Sequence, residues 1–195
     1  MAMGYKVPVL RHTEADWEPY ALYVLSSILD GGASARLQSE LVREQKLAAS
    51  ASAQYNPYSR LPSLFLFDAT PLDGHTIADM ERAIRTQIAR LQNELVSADE
   101  LKRVVTQAVA SKVYEADSMF YQAMELGMLQ TVGLDYRLLD GELDRIRAVT
   151  AEQVREVARK YLNDDNLTVA VLDPLPLDNA GAAQTAQVAG ATHDQ

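Results

Sequence analysis

The chain has 195 residues, 48% hydrophobic and 23% charged, which is enough apolar material for a self-supporting core in about one to one and a half ordinary domains. It contains no cysteine, which excludes disulfide scaffolds, thiolate metal sites and cysteine nucleophiles. Its formal charge of −9, from 27 acidic against 18 basic residues, has the wrong sign for a phosphate-backbone binder, and no apolar run approaches the ~20 residues of a membrane span.

Residues 1–5 lack the charged and apolar regions of a signal peptide. Absence of cysteine suits a bacterial periplasm as well as a cytoplasm, so the compartment stays open. Residues 4–10 alternate like a strand and meet Pro8, which suits a strand end or edge. The chain opens as if in mid-element, as expected for a domain of a longer protein. Asp16 is placed to cap the next segment. Residues 17–29 are apolar almost all round, the pattern of a buried helix, and Asp30-Gly31-Gly32 stops it with a left-handed C-cap.

Ser34 opens a second helix, with Ala33, Leu37 and Leu41 on one face and Arg36 paired to Glu40 at i, i+4 on the other. Residues 49–55 then alternate small and polar residues with period two, and residues 63–69 form a more apolar strand. The intervening Pro- and Ser-containing loop predicts an antiparallel hairpin. After a turn at 71–74, Ile77, Met80, Ile84, Ile88, Leu91 and Leu95 mark an amphipathic helix. Ser97 to Glu100 is a capping box with a Val96/Leu101 staple, and its helix is expected to run toward Leu129. Residues 135–149 read as a helix interrupted near Gly141. Thr150 to Gln153 is a second capping box, with Val149 and Val154 as staple, and residues 167–172 form a closing strand. The expected domain is 4–174, followed by a disordered tail at 175–195. The order β-α-α-β-β-α-α-α-α-β predicts an α+β fold, a mainly antiparallel sheet packed on one face by long helices.

Histidine chemistry must pass through His12, His75 or His193, and no two of these lie within a helical turn. His75 with Asp73 and Asp79 is a loose grouping better read as a surface turn and helix start than as a metal site. No G-x-S-x-G elbow or phosphate loop is present. Asp164-Asp165 reads as a solvated polar turn. Tyr114, Phe120, Tyr121 and Tyr136 read as core and interface packing rather than a base-stacking platform.

Three stretches in order carry a family resemblance. The first is Ile28-Leu29-Asp30-Gly31-Gly32-Ala33-Ser34-Ala35-Arg36-Leu37 followed by Leu41-Val42-Arg43-Glu44-Gln45-Lys46-Leu47 and the small-residue strand. The second is the Val96-Ser97-Ala98-Asp99-Glu100-Leu101 helix start. The third is Val149-Thr150-Ala151-Glu152-Gln153-Val154 through Arg159-Lys160-Tyr161-Leu162 to the last strand. Together they resemble the pitrilysin/insulinase-like zinc peptidases, which include mitochondrial processing peptidase.

That resemblance implies a processing-peptidase-like metallohydrolase domain. Because the inverted zinc motif H-x-x-E-H is missing, it implies the C-terminal, non-catalytic half. The implied partners are a zinc-bearing catalytic domain or subunit and a peptide substrate, with no nucleic acid and no membrane; a homodimer stays open. No cofactor is expected in this chain, and zinc is expected in the partner domain. In the family this half supplies an arginine and a tyrosine near the scissile bond. Aligning on Leu47 puts Val42 at the arginine position, with Arg43 one residue away, and Ala49 at the tyrosine position. Gly31 and Gly32 fall where the processing peptidase carries a long glycine-rich loop. The substrate-binding candidates are therefore Arg43, Ala49, Gly31 and Gly32, with no catalytic and no metal-ligating residue. A scaffold or assembly subunit of the same fold is the alternative, and a small-molecule enzyme using His75 with Asp73 is a third reading.

Overall fold

The computed structural model describes residues 1–11 and 16–172. The expected tail at 175–195, with His193, and also His12, lie outside the described residues. A four-stranded, fully antiparallel sheet has the order β2-β3-β1-β4. Its strands are β1 (Ala2–Val7), β2 (Ala48–Gln54), β3 (Ser63–Pro71) and β4 (Leu167–Ala170). Helices α1 (Trp17–Asp30), α2 (Ile77–Asn93) and α6 (Ala151–Tyr161) pack together and against one side of it, giving the α+β architecture that the sequence predicts. Between α2 and α6 in the chain come α3 (Ala98–Ala116), α4 (Met119–Val132) and the short α5 (Glu142–Arg147).

The strands alternate as their sequences require. Met3, Tyr5 and Val7 of β1, Phe65, Phe67 and Ala69 of β3, and Ala51 and Ala53 of β2 point into the core. Their neighbours form an opposite face of mostly small and polar residues, with Leu64 50% exposed and Leu66 half-buried. Tyr5 and Phe67 meet edge to face at 6.0 Å, and Phe67 lies 5.3 Å from Phe65. This aromatic cluster is buried with Leu22, Leu25, Ile28, Met80 and Ile84 of the covering helices. Aromatic and aliphatic area removed from water on that one side is the main term holding sheet to helices.

Several local expectations are corrected. Asp16 precedes α1 but makes no side-chain cap; its carboxylate accepts from the Arg11 N–H at 2.8 Å. At the end of α1 the Gly31 N–H donates to Ser27 O at 2.7 Å, and a side chain at position 31 would meet that carbonyl. The left-handed residue is Gly32, with φ of 121°. The second helix is a π-helix over Leu37–Glu44, and Ala33 is exposed outside it.

Arg36 does not pair with Glu40. It forms a bidentate pair with Glu100, while Glu40 accepts from Arg90 and Gln87 of α2. The helix that begins at Ala98 does not run on to Leu129. It stops at Asp117, and Ser118 caps a separate α4 through its hydroxyl, because serine and aspartate compete with the helical backbone for hydrogen bonds. Tyr114, Phe120, Tyr121 and Tyr136 are exposed rather than in the core. The predicted interruption near Gly141 is present, as a 3-10 turn (Tyr136–Gly141) leading into α5.

Candidate functional site

The sequence-named candidates sit around the π-helix and the start of β2. The π-helix leaves the Gly31-Gly32 turn and returns to β2 through Lys46, which holds a positive φ of 51°. Arg43, in its last turn, donates from a terminal guanidinium nitrogen to Ala33 O at 2.6 Å. The structure thus brings Arg43 and the Gly31-Gly32 turn together in one exposed corner. Ala49 is also exposed, at the register shift between Ala48 and Ser50. It is a methyl group on an irregular strand start and offers no hydroxyl.

β2 is an edge strand, and part of its free side is occupied. The Asp30 carboxylate accepts from the Ala53 N–H at 3.2 Å, and the Gln38 amide donates to Ala51 O at 2.8 Å. These two side chains take the place a further strand would occupy. The other edge, β4, pairs with β1 through Ala2↔Ala170 to Tyr5↔Leu167.

A second constellation was not singled out from the sequence. The β2–β3 loop, α1, α3, α4 and α5 enclose a cavity of about 300 Å³. Lys112 of α3 reaches into it, with its ammonium 3.2 Å from Glu125 of α4, 3.4 Å from Glu142 of α5 and 3.8 Å from Glu115. The Tyr58 hydroxyl donates to Glu142, and the Lys112 ammonium lies 5.2 Å from the Tyr58 ring centre. Tyr23, Tyr55, Tyr121, Met124 and Met128 complete much of the wall.

Burial works against the charge on Lys112, but Glu142 and Glu125 outweigh it and hold its pKa above that of an ordinary lysine. Burial, then the negative charge of Glu142, pushes the Tyr58 phenol up, so it stays a neutral donor. The groups come from residues 84 positions apart for Tyr58 and Glu142 alone, so no local spacing announces them. The one signal available was an unusual density of aromatic and methionine residues in α4.

Among the described residues, no group of three or more His, Cys, Asp and Glu side chains is arranged to hold a metal ion. His75 sits in the turn before α2, with its N–H on Leu72 O. Asp79 is committed to Thr76 and Arg82. Among those residues, too, no helix is long and apolar enough to cross a membrane.

Residues 1–108 match the family model described as the peptidase M16 inactive domain. The chain is 27% identical over 174 residues to the zinc protease PqqE of Helicobacter pylori, covering 89% of this chain and 38% of that protein. It is 23% identical, over 89% of its length and 41% of the relative's, to the uncharacterized zinc protease YmxG of Bacillus subtilis. The crystal structure of a protease from Helicobacter pylori superposes with a TM-score of 0.81 at 25% identity, over 89% of this chain and 40% of that one. The chain therefore spans about two fifths of the length of these two curated relatives. With the family model covering more than half of its residues, and the predicted α+β layers in place, the chain belongs to the peptidase M16 inactive-domain family.

Proposed function

We propose that this domain is the non-catalytic half of a zinc metallopeptidase. It closes with a zinc-bearing H-x-x-E-H domain to form a chamber around a peptide. The observation that carries this reading is the match to about two fifths of proteins named as zinc proteases, by a fold without a metal-binding group of its own among the described residues. The partner supplies the Lewis acid and the activated water. This half contributes a wall, and its acidic composition favours basic or extended peptides.

Arg43 is the residue of this chain best placed to touch the peptide. A π hydrogen bond spans five residues where an α bond spans four, so each π turn carries about one residue more. In a π-helix begun at Leu37, Arg43 stands near where an α-helix would present position 42. The resemblance places the family arginine at that position. The guanidinium is held by one carbonyl and keeps other N–H groups for a peptide carbonyl or carboxylate. Ala49 takes part only as a small residue that lets another backbone approach.

The test mixes the purified chain with a zinc-bearing H-x-x-E-H half of the family and follows cleavage of an internally quenched peptide. Neither half alone should cleave, the mixture should, and Arg43→Ala should lower kcat/KM by about tenfold. Zinc-dependent cleavage by this chain alone would overturn the reading. So would failure of the chain to bind or stimulate any such half.

A further inference from the structure

We propose that the cleft between α3, α4, α5 and the β2–β3 loop is a recognition site for a basic side chain carried on an apolar polypeptide segment. Its β2 end, at Tyr55, lies about 20 Å from Ala49 by strand rise, and the proposal holds whether or not the chain pairs with a zinc-bearing half.

The charge balance selects a cation. Among the residues lining the cavity, Lys112 is the one cation, facing Glu115, Glu125 and Glu142. One ammonium against three carboxylates leaves the lining itself with an excess of negative charge, which favours a further cation. Glu115 is the most open of the three, with 46% of its side chain exposed, so it lies on the entry side. The cavity volume, about 300 Å³, is at the lower end of ordinary ligand pockets. Its tyrosine rings supply faces for a guanidinium or ammonium, as Tyr58 already does for Lys112.

The rim selects a polypeptide rather than a small amine. Tyr121 and Met124 line the cavity and also belong to an exposed apolar surface with Met119, Phe120 and Tyr114 at the α3–α4 turn. Met119 is 87% exposed and Phe120 72%, and α4 buries one side chain fully, Leu129. A free amine fills the cavity and leaves that surface in water. A segment with apolar residues beside its basic one covers both. The same three carboxylates disfavour anionic lipid and nucleic acid.

The experiment titrates the 195-residue chain calorimetrically with an end-blocked peptide, Gly-Leu-Phe-Arg-Leu-Phe-Gly, and with its isosteric citrulline counterpart. The arginine peptide should bind at least about tenfold more tightly, and the difference should shrink as salt rises. Glu115→Gln and Phe120→Ser, both at exposed positions, should each weaken it about fivefold or more with an unchanged thermal midpoint. Glu125→Gln should weaken it further, with a melting curve recorded to separate binding from folding. Three outcomes would overturn the proposal: no binding at millimolar peptide, equal binding of the citrulline peptide, or affinity indifferent to both exposed substitutions. Equally tight binding of arginine methyl ester alone would overturn the polypeptide requirement.

Discussion

Arg36 and Glu100 are joined by two parallel hydrogen bonds of 2.9 and 2.7 Å, tying the segment before the π-helix to the first turn of α3 across 64 residues. Both side chains are largely buried. The paired hydrogen bonds from Arg36 hold the Glu100 carboxyl below its ordinary pKa. A depressed carboxylate stabilises the fold fully above its unfolded value, about 4.3. That stability is lost as pH falls through the lower folded value. Glu100→Gln should therefore cost about 1–3 kcal/mol at pH 7, and the gap from wild type should narrow on acidification below about pH 4. Urea unfolding at pH 7, 5 and 3.5 measures it; a gap that stays constant would show the ion pair is not responsible.

The two side chains on the free side of β2 should act as guards. Removing both, in Asp30→Ala with Gln38→Ala, frees the Ala53 N–H and Ala51 carbonyl on an edge of small residues. Such an edge accepts a foreign strand. The double variant should sediment as larger species with rising concentration, against a wild-type baseline in the same cell. Identical sedimentation of the two proteins would mean the edge is protected by something else.

The two capping sequences differ in what they deliver. Thr150 accepts from the Gln153 N–H while the Gln153 side chain accepts from the Thr150 N–H. Ser97 accepts from the Glu100 N–H, but the Glu100 carboxylate is engaged by Arg36 instead. Thr150→Ala should cost about 1–2 kcal/mol, and Ser97→Ala should cost less. Chemical denaturation of both variants decides the order, and a larger loss at Ser97 would contradict it.

Phe67 is the centre of the sheet's buried face, in contact with Tyr5 and Phe65 and fully inaccessible to solvent. Phe67→Ala should cost about 3–5 kcal/mol. Leu64→Ala, on the same strand but its open face, should cost under about 1 kcal/mol. Thermal or urea melts of the two variants test whether the sheet is covered on one side only; equal losses would argue that both faces are buried in solution.

Features set by neighbours in sequence were legible. The hairpin of β2 and β3, the Thr150 box, the glycine stop after α1 and the break near Gly141 follow from spacing and turn chemistry alone. What failed was non-local or degenerate. Arg36 has a partner four residues on in sequence and a better one 64 residues on in space, and bidentate geometry with Glu100 wins. Leu37 and Leu41 keep the same spacing of four in an α- or a π-helix, so the pattern does not distinguish them. The Thr76 cap of α2 closes through Asp79, a shorter acid than the Glu or Gln of the usual capping signature, so the pattern does not announce it. The α3–α4 cavity draws its charges from three helices, and Tyr114 and Phe120 look like core residues until it is known that nothing within the described residues covers them.

The strand order has a bearing on how the molecule is born. β1, made first, sits inside the sheet between β3 and β4. Leu167, where its last neighbour begins, is 96 residues beyond Pro71, where β3 ends. At ordinary rates of synthesis this interval lasts on the order of 5–20 s. Throughout it, a nascent chain holds three strands, with one side of β1 unsatisfied and adhesive. A domain so ordered depends on holding that edge apart from others until its closing strand has left the ribosome.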